Sequence, residues 1–391
     1  MAYYFIFPEK DTTLYSHPDR STMNTGNDEV LELIKEKGSN NTLHYPSRIL
    51  IQFSNDDIQK VINKIGSNNF TASLQLFSTE HKNLAAEQLI EVFPISQSWN
   101  EGTGRYSNLP LSSNGSSWLY RDNSINKIEW STSSFSPGTT GSIFSPNITK
   151  GGGVWYTGSG FEGSQSFANA DSLDLNIDVT SIVQKFSSSL YASQTYPTGI
   201  PNYGFIIKNP EITENAVSGS NGELQYFSVD THTIYPPRLA FKWDDSTATS
   251  GPYSTDGNNE IIHPTADSSS QYINVSLTNT KNEYNKNEEA TFRLHVRKKY
   301  PTRTFVSGSN FLKTGFLKKT SYYSIRDAHT EEVIIPFDNN CTKLSVDNNG
   351  MYFKLHMNGF QPERYYRILI KHINDYGTTI FDDNYYFKVI R

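Results

Sequence analysis

The groups in this chain that could do acid–base chemistry are its carboxylates, and many stand in adjacent pairs: Asp56 with Asp57, Asp244 with Asp245, Glu288 with Glu289, Asp382 with Asp383. Cleavage of a glycosidic bond needs two carboxyls facing each other, about 5 to 9.5 Å apart depending on mechanism. Neighbours on an extended strand point to opposite faces, so these pairs read as solvated surface charge. Glu101 is better placed, beside Trp99 in the loop WNEGTG, yet an acceptor for turn amides is the simpler role for it there. The nine histidines form no His-Glu-x-x-His pattern, the spacing that sets two ligands on one helix face. There is no Gly-x-Ser-x-Gly elbow between a strand and a helix, and Gly151 to Gly153 are not followed by the lysine of a phosphate loop. The single cysteine, Cys341, excludes an internal disulfide and makes a cysteine zinc site implausible. Calcium takes oxygen donors, and Asp11, Asn24 and Asp28 could contribute to a structural site, although a solvated loop explains them equally well. We therefore expect no catalysis and no cofactor beyond that calcium.

Recognition chemistry has more material. Between about Arg105 and Asn169 the chain dissolves into Ser, Gly, Thr, Asn and Pro punctuated by single large rings, among them Trp118, Tyr120, Trp130, Trp155 and Tyr156. A sugar needs a flat ring for its C–H face with polar groups alongside, and rings in serine- and glycine-rich loops supply that. The competing reading is that they pin the loop to the body of the protein or bury into a neighbouring subunit, since interfaces are also aromatic-rich. We expect contact with protein partners at these residues, with glycan as the alternative. A formal charge of −6 with scattered Lys and Arg offers no basic stripe for a nucleic-acid backbone, and no apolar run is long enough to span a membrane.

The elements that must position these residues are mostly strands. An aromatic share of 13 %, carried by 24 Tyr and 23 Phe, with abundant turn formers between, predicts an all-β protein. A length of 391 residues predicts two domains. RILIQF at Arg48 to Phe53 reads as a central strand buried on both faces, and ASLQLF at Ala72 to Phe77 alternates. Asp56 to Ile65 is the best helix, with Ile58, Val61, Ile62 and Ile65 on one stripe. A strand from Glu91 runs into Trp99, which is expected to close the core as a structural corner while Glu101 ties down the turn. LDLNIDV at Leu173 to Val179 is a strand leading into a helical turn. Residues 246–270 are polar and turn-rich, a linker. Beyond them about seven strands in 271–391 suggest an immunoglobulin-like sandwich without its cysteine pair. The start, MAYYFIF, lacks the basic region and cleavage site of a secretion signal and reads as a first strand.

Taken in order, DTTLY at Asp11 to Tyr15, RILIQF, ASLQLF, the WNEGT corner, LDLNIDVTSIVQKF, GFII and YPPRLAFKW resemble the DNRLRE family, a jelly-roll module related to carbohydrate-binding modules. The likeness covers residues 3–243 and implies a jelly-roll domain over 1–245. The stretch 105–169 is longer and more aromatic than that module requires and is expected to be an insertion. SYYSIRDAHTEEVIIPFDNN from Ser321, and the run from Gly359 to Arg391, resemble neck or tail proteins of large contractile-tailed bacteriophages. That resemblance implies a non-enzymatic virion component of the neck, tail or baseplate, assembled in the host cytoplasm and docked to other virion proteins in many copies. The alternative is a glycan-binding accessory for host surface polysaccharide, and a third reading is a polysaccharide-degrading enzyme.

Overall fold

A computed structural model describes residues 3–37, 44–65, 70–82, 84, 87–130, 139–141, 151–168, 172–188, 199–215, 222–244, 273–299, 315–318, 320–347, 349–374 and 377–391. The chain is all-β and divides into two compact units, Tyr4–Lys242 and Trp243–Arg391. The expected linker, 246–270, lies outside the described residues.

The first unit is built on eight strands: Tyr3–Ile6, His44–Phe53, Phe70–Leu76, Glu87–Pro94, Gly163–Ala168, Leu175–Asp178, Phe205–Lys208 and Arg238–Trp243. Numbered along the chain, the first, eighth, third and sixth form one sheet, and the second, seventh, fourth and fifth the other. This is the nested Greek-key order of a jelly roll. Strand Pro8–Tyr15 extends the second sheet beside 44–53, and Val30–Leu33, Glu223–Phe227 and Ser78–Lys82 form a small third sheet. Helix Asn55–Ile65 buries Ile58, Val61 and Ile62, the stripe its spacing predicts.

Strand 44–53 is buried on both faces from Tyr45 to Ile51. Leu50 belongs to one cluster with Leu14, Phe93, Ile206 and the tryptophans of the long loop. Ile49 and Ile51 alternate to the opposite face. The loop thus covers one side of the second sheet. Within 105–169, however, Gly163–Ala168 is an integral strand, paired antiparallel with Glu87–Val92. Its sequence, GSQSFA, is polar because it lies at the end of the strand order, where only one neighbour demands a ladder. Its polarity hid it from a reading based on apolar alternation.

The second unit is an immunoglobulin-type sandwich. Ile273–Thr278, Glu289–Lys298, Gly350–His356 and Ser345–Asp347 make one sheet, in that order, which is the A-B-E-D arrangement. The other runs Glu283–Asn285, Gly377–Ile390, Tyr365–Asn374, Ser321–Asp327 and Val333–Ile335. The described strands number nine rather than the seven expected, because 283–285 and 345–347 are too short to show in sequence. Phe292 stacks on Phe353 at 5.2 Å within the first sheet, and Phe353 on Tyr323 of the facing sheet at 4.2 Å. Aromatic packing therefore links the sheets in a unit that lacks a cysteine pair. Near the start of strand 365–374, the Tyr366 hydroxyl donates to Gln361 O at 3.0 Å and accepts from Gln361 N at 2.9 Å, as in the tyrosine corner of this architecture. Tyr366→Phe removes both bonds and should destabilise the second unit by about 1–2 kcal/mol, read as faster hydrogen exchange of the 365–374 amides.

Candidate functional site

The site best supported by sequence is the corner at Trp99 and the long loop that leaves it. Strand 87–94 ends against the sheet, and Ile95 donates its amide to Gly204 O at 2.9 Å. Trp99 then turns inward, 4 % exposed. Its indole N–H donates to Tyr203 O at 2.9 Å, and Lys10 lies over the ring at 4.2 Å while donating to Trp99 O. Glu101 reaches strand 8–15, where its Oε1 accepts the Asp11 amide at 3.0 Å. It therefore ties the turn to a neighbouring strand, and not to the amides of its own turn.

The three residues considered for calcium are each hydrogen-bonded to backbone groups of neighbouring segments. Asp11 is 1 % exposed, and its Oδ2 accepts the Val229 amide at 2.7 Å. The Asn24 side chain donates to Ser116 O at 2.8 Å and to Glu101 O, while its oxygen accepts Gly26 N and Gly104 N. Asp28 Oδ2 accepts the Tyr106 amide at 3.0 Å. Each is a stitch between loops. Among the described residues no group of three or more His, Cys, Asp or Glu is arranged to hold a metal. The glycines follow from the closeness of these strands: a Cβ on Gly102, at φ +84°, would lie 1.9 Å from Asn114 O and 2.3 Å from the Asn24 oxygen.

The five aromatic candidates are not a presented face. Trp118, Trp130, Trp155 and Tyr156 are buried, and only Tyr120 is partly exposed. Trp130 donates its N–H to Ser117 O at 3.0 Å, and Tyr156 stacks on Phe161 at 5.6 Å. Trp118 and Trp155 flank the Arg48 guanidinium, whose carbon lies 4.7 and 5.1 Å from their ring centroids. As contact residues for sugar or partner these four are therefore corrected to core. Residue type marks a ring in a polar loop, but only the folded backbone decides whether it turns toward the sheet or toward water.

Arg48 and its partner Glu214 were not singled out in the sequence. Both side chains are 1 % exposed. Nε and Nη2 of Arg48 donate to the Glu214 carboxylate at 3.1 and 2.7 Å, and Nη1 donates to Gly152 O at 2.7 Å. Glu214 sits on the short helix Glu211–Asn215, where Lys35 donates to Thr213 O at 2.6 Å. The signal available was an arginine heading a run otherwise buried on both faces, since a buried charge requires a partner. The glycine triplet fits the same knot. Gly151 to Gly153 have φ of +132°, +80° and +89°, a region glycine enters freely. A Cβ on Gly152 would lie 2.4 Å from Arg48 Nη1 and 2.7 Å from the Trp118 ring.

Several of the adjacent carboxylates are tied to separate partners, and Asp245 lies outside the described residues. Asp57 bonds Lys60, Glu288 bonds Lys281, Glu289 bonds Lys354, Asp382 bonds Arg367, and Asp383 accepts the Leu277 amide. Ser321 Oγ lies 2.9 Å from His372 Nδ1, and both residues are buried. The serine proton goes to Lys318 O at 2.7 Å, so the imidazole donates to the hydroxyl and does not activate it. Burial and Lys318 hold His372 down at about 4, which keeps the ring neutral. No known family model matches the chain, and no curated protein matches it.

Two outcomes follow. Arg48→Ala leaves Glu214 charged and buried, which should cost about 3–5 kcal/mol, whereas a substitution at exposed Lys60 should cost less than about 0.5 kcal/mol; urea midpoints measure both. Burial, reinforced by Asp230, raises Glu101 to about 7 against the opposing Asp11 amide and Lys10. Burial likewise pushes Asp11 up, with Glu101 and Asp230 adding to it. Over pH 4.5 to 7 the folded chain then holds a proton on Glu101 that the unfolded chain has released. Stability falls as pH rises through that window, and Glu101→Gln should flatten the slope in urea midpoints taken from pH 4 to 8.

Proposed function

We propose that this protein is a non-enzymatic structural component of a tailed-bacteriophage particle, in the neck, tail or baseplate, that acts by docking to other virion proteins. The observation that carries this reading is the loop leaving Trp99, which is tied down at its base and turns aliphatic side chains outward. Trp118, Trp130 and Trp155 are buried, Asn24 holds Gly104 and Ser116, and Asp28 holds Tyr106. Leu109 and Ile125 are nonetheless each 92 % exposed. Apolar tips on a pre-ordered loop suit protein contact, because little ordering entropy remains to be lost on binding. The formal net charge of −6 gives no support to nucleic-acid binding. Among the described residues no helix is long and apolar enough to cross a membrane. The likeness of the C-terminal segments to phage neck and tail proteins supplies the kind of assembly.

This reading expects the protein in intact particles purified by density gradient, at a fixed copy number of many per particle. Its absence from such particles would refute it. Replacing Leu109 and Ile125 together by Asp should reduce incorporation about tenfold while the far-UV spectrum stays unchanged, as expected for apolar anchors at an interface.

A further inference from the structure

The second unit contains a cleft that the docking reading does not use, and the argument for it is independent of that reading. Strand 345–347 pairs with strand 350–356 only along Gly350, Met351 and Tyr352. Immediately before Ser345 the chain crosses to the other sheet: Leu344 donates to Ser321 O, and Thr342 O accepts from Tyr323 N, both at 2.9 Å. Strand 350–356 runs on to His356 beyond its pairing with 345–347, and the gap left at this seam is a cleft of about 300 Å³. Its floor is the stacked pair Tyr323 and Phe353. Tyr352 forms a wall, held by Arg293 at 5.4 Å from its ring centroid, and Asp347 fixes that guanidinium with two bonds of 2.9 and 2.7 Å.

Each lysine of the lining is paired with a carboxylate, although Asp244 itself stands outside the lining. Lys354 bonds Glu289 at 2.7 Å, and Lys343 bonds Asp244. An anion entering here would have to displace a carboxylate, and a cation would have to displace an ammonium. A neutral polyhydroxy ligand needs neither, because each hydroxyl both donates and accepts and can bridge the lysine and carboxylate already in place. The half-exposed Tyr352 ring offers the C–H face of a sugar an apolar wall. The volume sits at the lower end of ligand sites, room for one ring and not for a long chain.

We propose that this cleft binds a neutral pyranose, as a free sugar or as the exposed end of a glycan, between Tyr352, the Lys354–Glu289 pair and Lys343, whose charge Asp244 balances from outside the lining. It lies in a different unit from the aromatic loop where sequence placed glycan contact.

Saturation-transfer NMR on the full chain tests this, with the methyl pyranosides of glucose, galactose, mannose and N-acetylglucosamine as neutral probes. Methyl glucuronide and glucosamine serve as anionic and cationic counterparts. At least one neutral probe should bind with a Kd on the order of 1 mM, more tightly than either charged counterpart. Tyr352→Ala, which removes the wall, and Ser345→Trp, which fills the cleft, should each weaken it at least tenfold; whichever variant keeps the far-UV spectrum decides. Absence of binding by all neutral probes, preference for a charged probe, or binding that survives in a folded variant would overturn the proposal. If a neutral probe binds as expected, a glycan array then separates free sugar from glycan ends. Particle incorporation is read in a separate experiment and can fail without affecting this result.

Discussion

A guanidinium taken out of water must find its full complement of acceptors where it stops, and in this protein that demand falls on Arg48. Desolvation of an ion costs several kcal/mol even after the protein relaxes. Here the compensation is a bidentate carboxylate from Glu214, the Gly152 carbonyl, and the faces of Trp118 and Trp155. Those partners come from positions more than a hundred residues away from it, apart from Trp118. Meeting one charge thus commits the short helix 211–215, the glycine triplet and the middle of the long loop to a single arrangement. Glycine is required at 152 because the carbonyl can approach Arg48 only if no Cβ stands between the backbone, the guanidinium and the indole.

That commitment decides what the loop can do. With Trp118, Trp130 and Trp155 buried over the second sheet of the jelly roll, the loop adds a layer to the core. What remains for recognition is what it turns outward, the aliphatic tips at Leu109 and Ile125. Elsewhere, recognition needs a place where regular pairing stops. The immunoglobulin-type unit has one, because a strand that switches sheets leaves a seam between them. The acidic corner of Glu101 and Asp11 obeys a different constraint: burial, with Asp230 adding to it, raises both carboxyls above their ordinary range, so this stitch weakens as pH rises.

Much of this architecture was legible before any coordinates. RILIQF announced a strand covered on both sides, the spacing of Ile58, Val61 and Ile62 announced a helix, and the run of strands after residue 270 announced a second sandwich. The strand to which Glu101 is tied was not legible, because Asp11 lies ninety residues away along the chain. The polar strand 163–168 was missed, since an end strand of serines and glutamine carries no apolar alternation. Glu214 was missed because nothing near it in sequence marks it as buried. Asp11, Asn24 and Asp28 stood out as oxygen donors for calcium, and their backbone hydrogen bonds to Val229, Gly104 and Tyr106 could not be read from the sequence.

By itself the sequence determined the class of the protein. Periodicity, turn residues and aromatic content are local properties, and they act through backbone sterics and short-range burial that any stretch of chain expresses on its own. The direction of each ring, the pairing of each buried charge and the position of the open cleft were decided only by tertiary structure. These depend on groups such as Arg48 with Glu214, or Tyr323 with Phe353, that meet only once the sheets have formed. No local pattern encodes the meeting of two side chains whose separation is set by the rest of the fold.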